Sequence, residues 1–289
     1  MNYRHAFHAG NHADVLKHVI QLALLEALQR KDSPFFVLDT HAGRGRYLLN
    51  SDAAARTAEA GTGILSLGRP RESPELVQRY LKAVAAANPV DTLIVYPGSP
   101  LLTAQTMRTQ DRLAACELQP EEAAALKALF AQDKRVAVHA RDGYTAIGAL
   151  LPPRVDGVRY ARGLILIDPP YEAQEAEYPQ IIQAVRLALE RWPQANIAIW
   201  YPIKQRRSLQ PFFRKLEGLT AARSVLVAEL LVRPDDSPLR LNGSGMALIN
   251  PPWKLDETIA PALPFLQRKL GETGASTRLE WIKRESSSP

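Results

Sequence analysis

The sequence predicts an α/β protein: an open, mostly parallel, Rossmann-like sheet flanked by helices, with an antiparallel C-terminal strand and a small helical insertion after the first strand. Three observations carry that expectation. Short apolar runs alternate with helix-period segments over most of the 289 residues. Four of those runs close on an acid, at Asp39, Glu117, Asp142 and Asp168. The ends of such strands gather along one crevice in an open α/β sheet, so the pattern predicts a carboxylate-lined site together with the fold.

The bulk composition agrees. A chain that is 46% hydrophobic and 23% charged can bury a large core, and it reads as a single domain over 1–289 with the insertion at 46–90. A formal charge of +6 permits a polyanionic partner. No apolar run approaches the ~20 residues that span a bilayer, so a cytoplasmic protein without membrane contact is expected. The lone Cys116 excludes an internal disulfide and a Cys-based zinc cluster, and reads as a small core residue. No interface signal stands out, so the expectation is a monomer with no obligatory protein partner.

Taken in order, the chain opens with His5, His8, His12 and His18. Gly10 and Asn11 interrupt their helical spacing and no Cys or carboxylate pattern completes a ligand set, so no metal is expected. Asn11 followed by Asp14 reads as an N-cap, and Val15, Leu16, Val19, Ile20, Ala23 and Ala27 continue an amphipathic helix over His12 to Arg30. Lys17 and His18 sit beside that stripe, either solvated or in reach of a pocket. Phe35 to Asp39 is the first strand, and it runs into Asp39-Thr-His-Ala-Gly43-Arg-Gly45. Two glycines one residue apart let a ligand approach the backbone at a strand-to-helix turn. A dinucleotide fingerprint wants a third small residue where Leu48 stands, which argues against NAD and for a ligand lacking a pyrophosphate, such as S-adenosylmethionine.

From Arg46 to about Asn88 the alternation lapses into an Ala- and Gly-containing stretch and a helix over Ser73 to Ala87. This insertion reads as a substrate-gripping lid or as structural elaboration. Thr92 to Tyr96 is a short strand, and Pro97-Gly-Ser-Pro100 opens the next helix with Ser99 placed to meet a carboxylate or ribose. Arg112 to Glu117 is a strand whose acid suits ribose hydroxyls. A helix over Glu121 to Gln132 leads to the strand from Arg135, whose Asp142-Gly143 end can accept from an adenine amino group. Further on come a helix over Tyr178 to Arg191, a strand over Asn196 to Tyr201, and a basic group of Lys204, Arg206, Arg207, Arg214 and Lys215. That group reads as a phosphate contact or as a solvated face. Arg223 to Val232 and Leu241 to Ile249 form a terminal strand pair, and Gly271 to Pro289 is a tail.

The strand Leu164 to Asp168 ends in Asp168-Pro-Pro-Tyr171. Two prolines remove backbone donors and hold carbonyl acceptors rigidly, so the corner suits a planar ring stacked on Tyr171 with its amino group bonded to Asp168 and the Pro169 carbonyl. Adenine and cytosine are such rings. Asn250-Pro-Pro-Trp253 has the same shape, but its strand follows Val232 as a hairpin partner would. It therefore ends at the opposite edge of the sheet, and Asp168 is the expected site.

These strand ends together resemble the class I S-adenosylmethionine-dependent methyltransferases that act on amino groups. The opening Tyr3-Arg-His-x-Phe-His-Ala-Gly-Asn-His-Ala-Asp-Val-Leu-Lys-His18, the loop Asp39-Thr-His-Ala-Gly-Arg-Gly and Tyr96-Pro-Gly-Ser-Pro100 resemble more narrowly the ribosomal RNA large subunit methyltransferase J family, over the whole chain. That resemblance implies N6 methylation of an adenine in 23S ribosomal RNA with S-adenosylmethionine as cofactor. It implies that His18, His41, Ser99, Glu117, Asp142 and Gly143 bind the cofactor, that Asp168 is catalytic, and that Tyr3 touches the RNA. Tyr171 is expected to stack on the target base. Two other readings stay open: a DNA adenine-N6 methyltransferase, and a non-catalytic assembly factor that binds ribosomal RNA.

Overall fold

Stretches too apolar to face water on either side become the central strands of one sheet, and the helices between them cover its two faces. The computed structural model describes residues 7–51, 59–68, 73–88, 92–171, 174–238 and 241–285. The chain runs through α1 (His12–Gln29), β1 (Phe36–Asp39), β2 (Arg46–Leu48), a 3-10 turn at Glu59–Thr62, α2 (Ile64–Leu67), α3 (Glu75–Ala86) and β3 (Val95–Pro97). It continues with α4 (Ser99–Thr106), β4 (Arg112–Glu117), α5 (Pro120–Leu129), β5 (Val136–Ala140), α6 (Gly143–Leu150), the hairpin β6 (Arg154–Val155) and β7 (Val158–Arg159), and β8 (Gly163–Ile167). Then follow α7 (Gln174–Arg191), β9 (Asn196–Ile203), α8 (Gln210–Glu217), β10 (Val225–Leu231), β11 (Gly243–Ile249), α9 (Leu255–Ile259), α10 (Ala262–Leu270) and β12 (Ser276–Lys283).

The sheet has eight strands in the order β12-β10-β11-β9-β8-β1-β4-β5. From β9 to β5 every pairing is parallel. β11 is antiparallel to both its neighbours, as the hairpin argument requires. Because β1 is flanked by β4 on one side and β8 on the other, the strand order reverses at the β1–β8 boundary. That places the ends of Asp39 and Asp168 side by side at a topological switch point.

Helix α1 begins where Asn11 predicts. The Asn11 carboxamide oxygen accepts from the amides of Ala13 and Asp14, both at 3.0 Å. Its burial is wider than an amphipathic stripe: His12, Asp14, Lys17, His18 and Gln21 are buried along with the apolar residues. Helices α3 and α4 and the C-terminal α9 pack on α1 and close over the side that a solvated helix would expose. On the opposite face of the sheet, α6, α7 and α8 cover a second core that includes Ile181, Val185, Trp192 and Phe212.

Three sequence expectations need correction. The strand expected over Thr92 to Tyr96 spans only Val95–Pro97 and lies outside the main sheet, paired with Arg46–Leu48 in a separate two-stranded ribbon. The tail after Gly271 holds β12, which adds to the edge of the sheet against β10. Arg206 is not offered to phosphates. It turns inward to the fully buried Glu229 at 2.8 Å, while its amide donates to Asp235. Among the described residues no helix is long and apolar enough to cross a membrane.

Candidate active site

The carboxyl ends of β1, β4, β5, β8 and β9 frame a cleft of about 730 Å³, room for a nucleoside-sized ligand and a second planar ring. The sequence-predicted residues His18, His41, Ser99, Glu117, Asp142, Gly143, Asp168 and Tyr171 all line it. Tyr3 lies outside the described residues.

At one end, Glu117 terminates β4 with both oxygens oriented by backbone donors: the Gly43 amide at 2.9 Å and the Gln119 amide at 2.7 Å. Burial pushes its carboxyl pKa up, and these hydrogen bonds oppose the rise. Gly43 has φ +60, and a Cβ there would meet the Tyr47 hydroxyl at 2.1 Å, so only glycine lets the loop reach Glu117. Next to it, Asp142 caps α6 by accepting from the Thr145 amide at 2.7 Å. Gly143 allows that helix end to press against β1, since a Cβ would lie 2.0 Å from the Thr40 carbonyl oxygen. Two carboxylates on adjacent parallel strands, approached by unobstructed backbone, fit a ligand that presents a diol and an exocyclic amine.

The middle of the cleft rests on Asp39. This side chain is fully buried and accepts from the Ser99 hydroxyl at 2.6 Å and the His41 amide at 3.3 Å. Burial pushes its pKa up to about 7. His41 bonds the Thr40 hydroxyl at 2.8 Å and meets the Tyr144 ring edge-on; burial lowers its pKa to about 4, so it is neutral at physiological pH. His18 is fully buried and bonded through Nδ1 to the Tyr96 hydroxyl at 2.8 Å, which in turn meets the Tyr80 hydroxyl of α3 at 2.9 Å. The segment between β2 and β3 thus buttresses the cleft from behind. It also holds the N-terminal segment, where Glu59 pairs with His8 at 3.0 Å and accepts from Asn11 at 2.9 Å.

At the other end stands Asp168. Its carboxylate is 2.6 Å from the Lys17 ammonium, which is also 2.7 Å from Asp14. Burial acts to lower the Lys17 pKa, but the two carboxylates outweigh it and hold the group well above the ordinary lysine value. Lys17 is therefore a permanent cation, and Asp168 is presented as an oriented carboxylate with its charge already countered. Tyr171 has φ +45, a conformation costly for an aromatic residue. Its hydroxyl donates to the Trp200 carbonyl at 2.6 Å and its ring meets the Trp200 indole edge-on at 5.5 Å. With the hydroxyl engaged, Tyr171 offers the cleft aromatic surface.

Sequence reasoning read Asp14 only as part of the N-cap and gave Lys17 no firm role, although their i, i+3 spacing on a helix whose neighbouring positions are apolar was a signal of a buried pair. Trp200 was read only as a strand residue. Its place near the carboxyl end of β9, beside β8, becomes visible once the strand order is known.

A family model described as "Ribosomal RNA large subunit methyltransferase D, RlmJ" matches residues 32–283. The chain is 40% identical to ribosomal RNA large subunit methyltransferase J of Haemophilus influenzae over 287 residues, which is 99% of this chain and 100% of that one. It is likewise 40% identical over 286 residues to the protein of the same name from Escherichia coli. A crystal structure of a protein from Legionella pneumophila superposes with a TM-score of 0.84 at 34% identity, covering 97% of this chain and 99% of that one. Agreeing over nearly its whole length in sequence and in fold, the chain belongs to the ribosomal RNA large subunit methyltransferase J family.

Proposed function

We propose that this protein transfers a methyl group from S-adenosylmethionine to N6 of an adenine in 23S ribosomal RNA, as a monomer whose residues 46–90 are an insertion within one methyltransferase domain. The observation that carries the reading is the Asp168 corner: an acceptor-rich Asp-Pro-Pro-Tyr turn at the switch point, with its acid held by a buried lysine and a carboxylate-lined cleft alongside. Glu117 would hold the cofactor's ribose, Asp142 and Gly143 its adenine, and Ser99, His41 and His18 the surface beneath.

Bound there, the cofactor supplies an electrophilic methyl carbon on a sulfonium sulfur. The adenine N6 lone pair is delocalised into the ring, so the protein must make it available. One N6 hydrogen donates to the Asp168 carboxylate and the other to the Pro169 carbonyl, which favours a pyramidal nitrogen aimed along the transfer line. Lys17 holds the Asp168 carboxylate fixed in place, so that it orients the amine. As the methyl moved from sulfur to N6, the nitrogen would become cationic and its proton acidic, and Asp168 would be the group placed to accept that proton. A base inside a helix cannot reach this corner, so the target must be unpaired or splayed out, with Tyr171 as stacking surface.

The deciding experiment is transfer of radiolabelled methyl from S-adenosylmethionine to protein-free 23S ribosomal RNA, 16S ribosomal RNA and duplex DNA, followed by nucleoside analysis. N6-methyladenosine from 23S RNA alone is the expected result. Label in DNA would replace the RNA reading, and cofactor binding with no label anywhere would leave a non-catalytic assembly factor.

A further inference from the structure

The second Pro-Pro-aromatic corner has no part in the reaction just described, yet its construction is as definite. Asn250 is buried, has φ +49, and its side-chain oxygen accepts from the Arg223 amide at 2.8 Å while its own amide donates to the Ser224 carbonyl at 2.9 Å. Lys254, on the far side of the two prolines, is also left-handed at φ +60. Between these pinned residues Trp253 projects into solvent, 81% exposed, whereas Trp192 is buried and Trp200 and Trp281 are half-buried. Two left-handed non-glycine residues flank this loop, and the indole between them is left in solvent.

The setting is cationic. Arg30 donates to the Trp253 carbonyl at 3.3 Å, and Lys31 beside it is exposed. Arg108 and Arg162 reach the same segment, bonding the Lys31 carbonyl at 3.0 and 3.3 Å, where α1 ends and favours positive charge. Acids nearby include Asp111, fully buried beneath Arg108, the exposed Asp32, Asp256, which accepts from the Trp281 indole, and Glu257 and Glu285, which pair with Lys254 and Arg223. Among the described residues the other exposed large hydrophobic side chains are Leu48, Leu65, Leu118 and Val158, none of them in the segments named here around Trp253. A rigid aromatic face ringed by cations is the arrangement that stacks an unpaired base and tracks its phosphates.

We infer that Trp253, with Arg30, Lys31 and Lys254, is a second docking point for the RNA: a platform for an unpaired stretch of the ribosomal RNA, at the end of the sheet opposite the catalytic cleft. This rests on the proposed RNA substrate. Antiparallel β11 delivers the platform to the far edge, so it grips RNA at a distance from the methylated base and acts on affinity rather than on the chemical step.

The test compares the wild-type protein with Trp253→Ala, Trp253→Phe and Arg30→Glu/Lys31→Glu. Binding of a fluorescent 12-mer oligouridylate, of a 12-base-pair RNA duplex and of 23S ribosomal RNA is followed by anisotropy over a range of salt. Methylation of 23S RNA is followed in parallel, with cofactor binding and the thermal midpoint as controls of folding. Trp253→Ala should weaken oligouridylate binding by about tenfold or more, while Trp253→Phe keeps most of it, on the scale of one base–aromatic stack. The double charge reversal should flatten the salt dependence by at least about one unit of slope. KM for 23S RNA should rise and kcat stay unchanged in both. Oligouridylate should also protect the exposed indole from iodide quenching, and that protection should vanish in Trp253→Ala. Equal oligouridylate affinity in wild type and Trp253→Ala would overturn the inference, as would tighter binding of the duplex with no protection of the indole. Failure of methylation in the wild type would count against the proposed reaction alone, because the oligonucleotide binding and quenching are read without it.

Discussion

Two tetrapeptides of one shape, Asp168-Pro-Pro-Tyr171 and Asn250-Pro-Pro-Trp253, sit at opposite ends of the same sheet. Both follow a fully buried strand, and both contain a left-handed residue, Tyr171 in one and Asn250 in the other. Their surroundings differ. The first meets a buried lysine and a cleft framed by four other strand ends; the second ends a strand that runs the other way and emerges among surface cations. The comparison teaches that a motif of this kind acquires chemistry from strand direction and from the charge that waits at the strand's end. The prolines and the aromatic ring are not enough.

The sharpest break of the comparison is Asp168→Ala, which should lower kcat by on the order of 10³-fold while calorimetric cofactor binding persists. Adding Asn250→Asp to that variant should restore nothing, because the new carboxylate stands at the wrong end of the sheet. Recovered methylation in the double variant would sink the argument from strand direction. Next in size is Lys17→Met. It leaves Asp14 and Asp168 buried without their cation and should cost about 3 kcal/mol or more of stability in urea titrations, together with most activity. The Lys17 pKa lies above its unfolded value, so the stability it contributes is complete below about pH 10 and is lost as pH rises through the folded value.

A smaller effect concerns Asp39, which lies under the first corner and has no equivalent under the second. Its folded pKa near 7 exceeds the unfolded value near 4, so between those values the native state holds a proton that the unfolded chain has released. Unfolding free energy should therefore fall as pH rises across that window, on the order of 1.4 kcal/mol per pH unit at most, and level off above it. Asp39→Asn should flatten that slope; an unchanged slope would mean that Asp39 is ionised in the native protein at lower pH. The mildest variant is Asn250→Ala. Loss of an acceptor for the Arg223 amide should cost about 1 kcal/mol with kcat unaltered, the contrast to Asp168→Ala that the comparison demands.

Much of this was legible residue by residue. The runs ending at Asp39, Glu117 and Asp168 are apolar enough to be interior strands, whereas the run before Asp142 is the half-exposed edge strand β5, and parallel strands send their carboxyl ends to one side. Asn11 announced the start of α1 because its side chain can satisfy the free amides there. Other features were illegible for reasons equally physical. Nothing local distinguishes the strand at Val95, which pairs with β2, from one that joins the main sheet, because pairing depends on which edge is near. Arg206 reads like any surface cation until the buried Glu229, on a strand distant in sequence, is brought beside it.

By itself, then, the sequence determined the α/β class, the order of the acid-ending strands, the cap of α1 and the acceptor character of the Asp168 turn. Each follows from apolar periodicity, backbone geometry and side-chain chemistry within a few residues. Only the tertiary structure decided that Lys17 meets Asp168 across 151 positions of chain, that Tyr171 is braced by Trp200, and that Trp253 is left in solvent at the far end. Those outcomes depend on which strands become neighbours and on which residues are thereby deprived of water, and burial and charge pairing exist only once the chain has closed on itself.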